Sequence, residues 1–129
     1  MNFLEAMPFS AACGVEVDAA GPDEVRGHLP WREDRCTAGG ILHGGALMTL
    51  ADTLGGICAF LNLPEGAGTS TIESKTNFLR AVRSGAAHAT TRPLHVGRQT
   101  IVLVTEIRDD AGKLVAMVTQ TQAVLQNAR

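Results

Sequence analysis

Asp52 is the only charged side chain between Gly44 and Leu61, in a stretch otherwise made of apolar and small residues. A carboxylate so placed has two readings. It is a surface residue on one exposed stripe, bonded to Thr49 or Thr53, or it activates water, or attacks directly, in a cleft lined by apolar atoms. His43-Gly44-Gly45 opens the same stretch. Glycines there let a ligand approach the backbone, and the first N–H groups of a helix have no partner within it. With the positive end of the helix dipole, they can hold a developing oxyanion. The alternative is that Gly39-Gly40 and Gly44-Gly45 only shape a loop. A P-loop is excluded because no Gly-Lys-Ser/Thr follows. His43 as a general base, or Cys36 with His43 as a nucleophile pair, has no further support in the pattern, since such residues are commonly structural or simply buried.

The spacing adds a geometric condition. His43 and Asp52 are nine residues apart, or roughly 13 Å along one helix. One substrate carbonyl cannot touch both the helix start and Asp52 of the same chain, because catalytic contacts need about 3 Å. If both take part, two copies of the helix must lie antiparallel, which implies a two-fold dimer with shared sites.

The elements that must position these groups follow from the pattern. A helix is expected from His43 or Gly44 to about Phe60, ending before Asn62, Pro64 and Gly66. Leu47, Leu50, Ala51, Leu54 and Cys58 form an apolar stripe, and Ala46, Met48, Ile57, Ala59 and Phe60 make most of the rest apolar. Such a helix is buried on nearly all sides. Gly45, Thr49, Asp52, Thr53 and Gly56 form one narrow face left for a cleft or a second subunit. A short helix over residues 2–8 and strands over Gly14–Ala20 and Glu24–Pro30 precede it, with residues 31–42 as a loop. Thr69–Leu79, Ala86–Leu94, Thr100–Arg108 and Leu114–Leu125 read as strands. The class is therefore α+β: an antiparallel sheet with one long helix over a face, in a single domain over residues 1–129.

Composition narrows the function. The chain has 129 residues, 45% hydrophobic and 19% charged, an ordinary globular balance. A net charge of −2, 4% aromatics and no Tyr exclude a general nucleic-acid binder. Cys13, Cys36 and Cys58 are odd in number and widely spaced, which suits a reducing cytoplasm better than a disulfide scaffold or zinc site. His28, His88 and His95 lack ligand spacing, so no metal is expected. Residues 41–63 are apolar enough to raise the question of a membrane span, but the central Asp52 would cost about 2.5–3.5 kcal/mol there and basic anchors are lacking. No basic segment followed by an apolar core opens the chain, so no signal peptide is expected.

The stretch His43-Gly44-Gly45-Ala46-Leu47-Met48-Thr49-Leu50-Ala51-Asp52 resembles the helix motif of hotdog-fold acyl-CoA thioesterases of the phenylacetate-degradation type. Residues Thr71–Arg80, Val96–Thr100 and Asp110–Ala116 resemble the segments that follow it, and the likeness spans about residues 10–126. The resemblance implies a sheet wrapped around the long helix, dimers paired into tetramers, and hydrolysis of a coenzyme A thioester. It makes Asp52 the nucleophile or general base, the Gly44 N–H the polariser of the thioester carbonyl, and His43 a residue that shapes the site. Thr71 falls where a hydroxyl assists the attacking water. No cofactor is implied beyond the coenzyme A of the substrate. Two departures are visible: Thr37 stands where relatives often carry Asn or Gln, and Gly56 where some carry a hydroxyl. Thr37, Gly45, Arg80, Arg83 and Arg98 are then candidates for holding substrate, the arginines for coenzyme A phosphates. A hydratase or dehydratase of the same fold, and an acyl-CoA-binding module without catalysis, are the alternatives. The carboxylate nine residues after His43 on one helix favours hydrolysis.

Overall fold

Breaks in the hydrophobic pattern become element ends in a computed structural model that describes residues 2–126. Among these residues two strands follow a short helix and four follow a long one: α1 (Pro8–Ala12), β1 (Glu16–Ala20), β2 (Val25–Pro30), α2 (Gly44–Leu61), β3 (Gly68–Phe78), β4 (Ala86–Val96), β5 (Thr100–Arg108) and β6 (Leu114–Leu125). The strands form one antiparallel sheet in the order β1-β2-β4-β5-β6-β3, so β1 and β3 are its edges. Register shifts in β1, β3, β4 and at the end of β5 curve it around α2.

The long helix begins and ends where the punctuation demands. His43 is its N-cap, and Asn62 its C-cap. Asn62 Nδ2 donates to Cys58 O and to Pro22 O, tying the helix end to the β1–β2 turn. By length and composition alone α2 could cross a membrane, yet half of it is buried inside this fold. Leu47, Leu50, Leu54 and Ile57 pack with Leu29 of β2, Ala89 of β4, Ile101, Leu103 and Ile107 of β5, and Val118 of β6. The helix packs tightly on Gly27 of β2, where a Cβ would lie 2.9 Å from Leu54 Cδ2 and 2.5 Å from Glu16 O of β1.

The N-terminal segment differs from the helix expected over residues 2–8. Asn2 caps a 3-10 turn over Phe3–Ala6. Pro8 then starts α1, because a residue without an N–H is suited to a first turn and not to the middle of one. α1 lies over the small face of α2: Thr53 Oγ1 donates to Thr49 O, and Ser10 Oγ meets Thr53 Oγ1 at 2.7 Å. Thr53 is thus buried at the base of the cleft beside Asp52, while Gly45 and Asp52 stay exposed and Thr49 and Gly56 half-buried.

Burial beneath the β1–β2 turn pushes the Cys58 thiol up from 9.0 to about 11, with the Asp23 carboxylate adding to the shift. Between those values the unfolded chain releases a proton that the folded chain keeps, so stability falls as pH rises. Thermal denaturation between pH 8 and 11 should show the midpoint dropping above pH 9. Cys58→Ala should make that drop shallower, and an unchanged slope would contradict the buried-thiol account.

Candidate active site

The third turn of α2 carries Asp52 outward, where β3 runs alongside. Thr71 Oγ1 of β3 donates to Asp52 Oδ1 at 2.8 Å. Oδ2 has no hydrogen-bond partner among the described residues. Two clefts open on this carboxylate. One, about 330 Å³, is walled by Met7, Phe9, Met48 and Thr49. The other, about 490 Å³, is walled mainly by Phe3, Ala6, Met7, Ile57 and Phe60, with open space where Gly56 has no side chain. A carboxylate with one oxygen restrained and the other free, beside apolar walls, is equipped to take a proton from water or to attack a carbonyl.

The start of α2 lies elsewhere. Gly45 N–H donates to His43 Nδ1 at 2.8 Å, so the imidazole caps the helix and its neutral form carries the proton on Nε2. The Gly44 N–H has no partner among the described residues, and Gly44 faces Phe78, whose ring would lie 3.0 Å from an added Cβ. This end borders a third cleft of about 610 Å³ with Cys13, Arg32, Arg35, Cys36 and His43 on its walls. Gly44 and Asp52 are eight helical residues apart, about 12 Å along the axis.

The structure therefore brings Thr71 to Asp52 and keeps His43, Gly44 and Gly45 together at a distance from them. Gly45 has its N–H committed to His43, which leaves Gly44 as the available donor. Thr37, in the loop before the helix, is exposed and borders none of these three clefts; its N–H donates to Ile41 O. Partial burial pushes the Cys36 thiol up, with Glu33 and Asp34 adding to the shift, and its Sγ donates to Arg32 O. The arginines divide. Arg80 and Arg83 follow β3 at the Gly44 end, and Arg83 borders a small hollow with Asp109 and Asp110. Arg98 lies in the β4–β5 turn at the opposite end, where Gln99 O accepts from Val124 N–H beside the start of β3.

Two residues at the site were not singled out from the sequence. Gln120 and Gln122 of β6 are buried beneath Asp52, and Gln122 Nε2 donates to Thr71 Oγ1 at 2.7 Å. A signal was present: two glutamines at i, i+2 occupy the strand face on which Val118 and Val124 are apolar.

One long helix in the concave face of an antiparallel sheet, with a carboxylate on that helix opening to apolar clefts, is a hotdog-fold hydrolase. The chain belongs to the thioesterase superfamily, whose family model matches residues 39–116. It is 30% identical to a thioesterase of Haemophilus influenzae of known structure (TM-score 0.88, covering 94% of this chain and 85% of that one). It is 27% identical to the structure of a thioesterase variant of Pseudomonas aeruginosa (TM-score 0.90, covering 95% and 91%). The 1,4-dihydroxy-2-naphthoyl-CoA hydrolase of Escherichia coli (strain K12) is 28% identical over 111 residues, covering 86% of this chain and 82% of its own length. The chain is accordingly a thioester hydrolase.

The His43 cap has a measurable consequence. His43→Ala leaves the Gly45 N–H without its acceptor and should lower unfolding free energy in urea by about 1 kcal/mol. His43→Asn, which restores a side-chain acceptor at the cap, should recover most of that loss. Equal stability of His43→Ala and the parent would show that the imidazole does not cap α2.

Proposed function

We propose that the protein hydrolyses an acyl-CoA thioester with Asp52 as general base or nucleophile and the Gly44 N–H as polariser of the thioester carbonyl. The observation that carries the reading is the carboxylate of Asp52, held on one oxygen by Thr71 and open on the other to two apolar clefts. In the base form of the reaction, Oδ2 takes a proton from water as its oxygen attacks the carbonyl carbon. In the nucleophilic form Oδ2 attacks directly, and water then cleaves the resulting anhydride. Both pass through a tetrahedral oxyanion that a helix N–H group stabilises, and both expel the coenzyme A thiolate. The narrower likeness to phenylacetate-degradation thioesterases rests on His43–Asp52 and Thr71–Arg80, and the 1,4-dihydroxy-2-naphthoyl-CoA hydrolase of Escherichia coli supports the thioester class.

The site takes its two halves from two chains. Gly44 and Asp52 lie about 12 Å apart on one rigid helix, so an antiparallel partner helix supplies the missing half. The 11-residue β3 has no strand beyond it and exposes Ile72 and Phe78, a suitable edge for a second copy, with two such dimers pairing into a tetramer. The same two-fold relation brings Arg98 of one chain toward the end that carries Arg80 and Arg83 of the other. That arrangement gathers three cations for the coenzyme A phosphates, with Gly45 on the wall of the cleft at the helix start. The three free thiols fit a cytoplasmic enzyme.

Asp52→Asn is nearly isosteric and cannot take a proton. It should lower kcat for acyl-CoA thioesters by two or more orders of magnitude, measured by thiol release, with thermal stability retained. Turnover close to the parent's would remove Asp52 from the mechanism.

A further inference from the structure

We propose that Gln122 is a positioning residue for Asp52, acting through Thr71, and that it fixes Oδ2 as the reacting oxygen. The inference rests on the reading of Asp52 as base or nucleophile. Its basis is a chain of hydrogen bonds that runs from the backbone of α2 through β6 and β3 and back to α2.

The direction of the chain is set at its buried end. Gln120 Nε2 meets Ala51 O at 3.2 Å, and a backbone carbonyl can only accept. The Gln120 amide is thereby oriented, and its Oε1 faces Gln122. Gln122 must present Nε2 to that oxygen, at 2.7 Å, and the same nitrogen reaches Thr71 Oγ1 with its second hydrogen, also at 2.7 Å. A reversed Gln122 amide would set two carbonyl oxygens against each other; as it stands, its own Oε1 lies 3.0 Å from Thr69 Oγ1, whose one hydrogen it shares with Ala123 O at 2.9 Å. Thr71 Oγ1 is therefore an acceptor toward Gln122, and its single hydrogen goes to Asp52 Oδ1.

Two consequences follow for the carboxylate. Oδ1 is occupied by a hydroxyl that has no other direction to donate in, so the plane of the carboxylate is held and Oδ2 is turned to the clefts. The Thr71 hydrogen is spent on Asp52 rather than on the attacking water. The surroundings are built for this arrangement. Gln120 and Gln122 are 0% and 1% exposed on a strand face otherwise apolar. α2 carries Gly55 opposite Gln120, where a Cβ would come within 2.2 Å of its Nε2. A glycine in mid-helix is unfavourable relative to alanine, and here it leaves the space in which the amide sits.

A kinetic double-mutant cycle on the 129-residue chain tests this. Thr71→Val and Gln122→Met each remove hydrogen bonding at nearly constant volume. Each should lower kcat for an acyl-CoA thioester about tenfold or more with KM changed less than twofold, the size seen when a ligand's supporting group is lost. In the Thr71→Val background, Gln122→Met should cost less than a further twofold. Thr71→Ser, which keeps the hydroxyl, should stay within about threefold of the parent, and Gln122→Met should remain harmful beside it. A purely structural role would lower stability without this coupling. If Gln122→Met does not fold, Gln122→Asn retains an amide one methylene too short to reach Thr71 and takes its place in the cycle. An unchanged kcat for the folded Gln122 variant, or losses that multiply independently, overturns the proposal. The two readings fail separately: an active Asp52→Asn removes the mechanism itself, whereas an inactive Asp52→Asn beside a fully active Gln122 variant removes only the positioning role.

Discussion

A rigid helix holds its own residues at fixed distances, and α2 holds the unpartnered N–H of Gly44 about 12 Å from the carboxylate of Asp52. No side-chain rotation closes that gap, because one group is backbone and the other is restrained by Thr71. A thioester carbonyl is a single small group. If the donor and the carboxylate act on the same one, they come from different chains. The positions at Gly45, Thr49, Asp52 and Gly56 are exposed or half-buried, and β3 is an edge of the sheet among the described residues, so this side of the fold is open.

The carboxylate sits at the boundary between an apolar core and solvent, and the fold spends polar groups to hold it there. Burying an amide without partners costs about 1–3 kcal/mol, so Gln120 and Gln122 are tolerable only as a connected pair. Their bonds link Ala51 O to Thr71 and so join the helix, β6 and β3 at the point where Asp52 emerges. α1 completes the arrangement from outside. By burying Thr53 under Ser10, and with Met7 on the wall of both clefts that open on Asp52, the N-terminal segment shapes the space on either side of the carboxylate.

Much of this was legible in the sequence, and the remainder fails for identifiable reasons. The apolar stripe from Leu47 to Cys58, with His43 before it and Asn62 after it, marks α2 to within a residue of its observed limits. β5 and β6 have the expected bounds, because alternation and turn residues agree at both ends of each. The first residues do not, because Pro8 divides one amphipathic pattern into a 3-10 turn and a separate helix. Thr53 shares a helical face with Asp52, yet periodicity cannot show that α1 covers it. The glutamine pair is hidden for a related reason: the strand pattern of β6 does not by itself say which of its faces is buried. The bulge at Ile72, between Thr71 and Glu73, changes which β3 residues face the helix, and no local pattern announces it. The arginines are the same kind of case: Arg80 and Arg83 are near Arg98 in sequence but at the other end of the sheet.

The claim that one site is assembled from two chains is tested most directly by mixing two inactive variants. One is Asp52→Asn. The other is Gly44→Pro, which deletes the N–H in question at the first helical position, a place suited to proline after a residue already extended at φ −62°, ψ 136°, with the exposed Phe78 ring giving way to the added Cβ. If the halves come from different chains, a mixed dimer has one site with both groups intact and one with neither. Co-expressed in equal amounts, with half the dimers mixed, the two should recover about a quarter of parental kcat. Activity of the mixture no greater than that of the separate variants, with mixed dimers demonstrated to be present, would contradict the shared site.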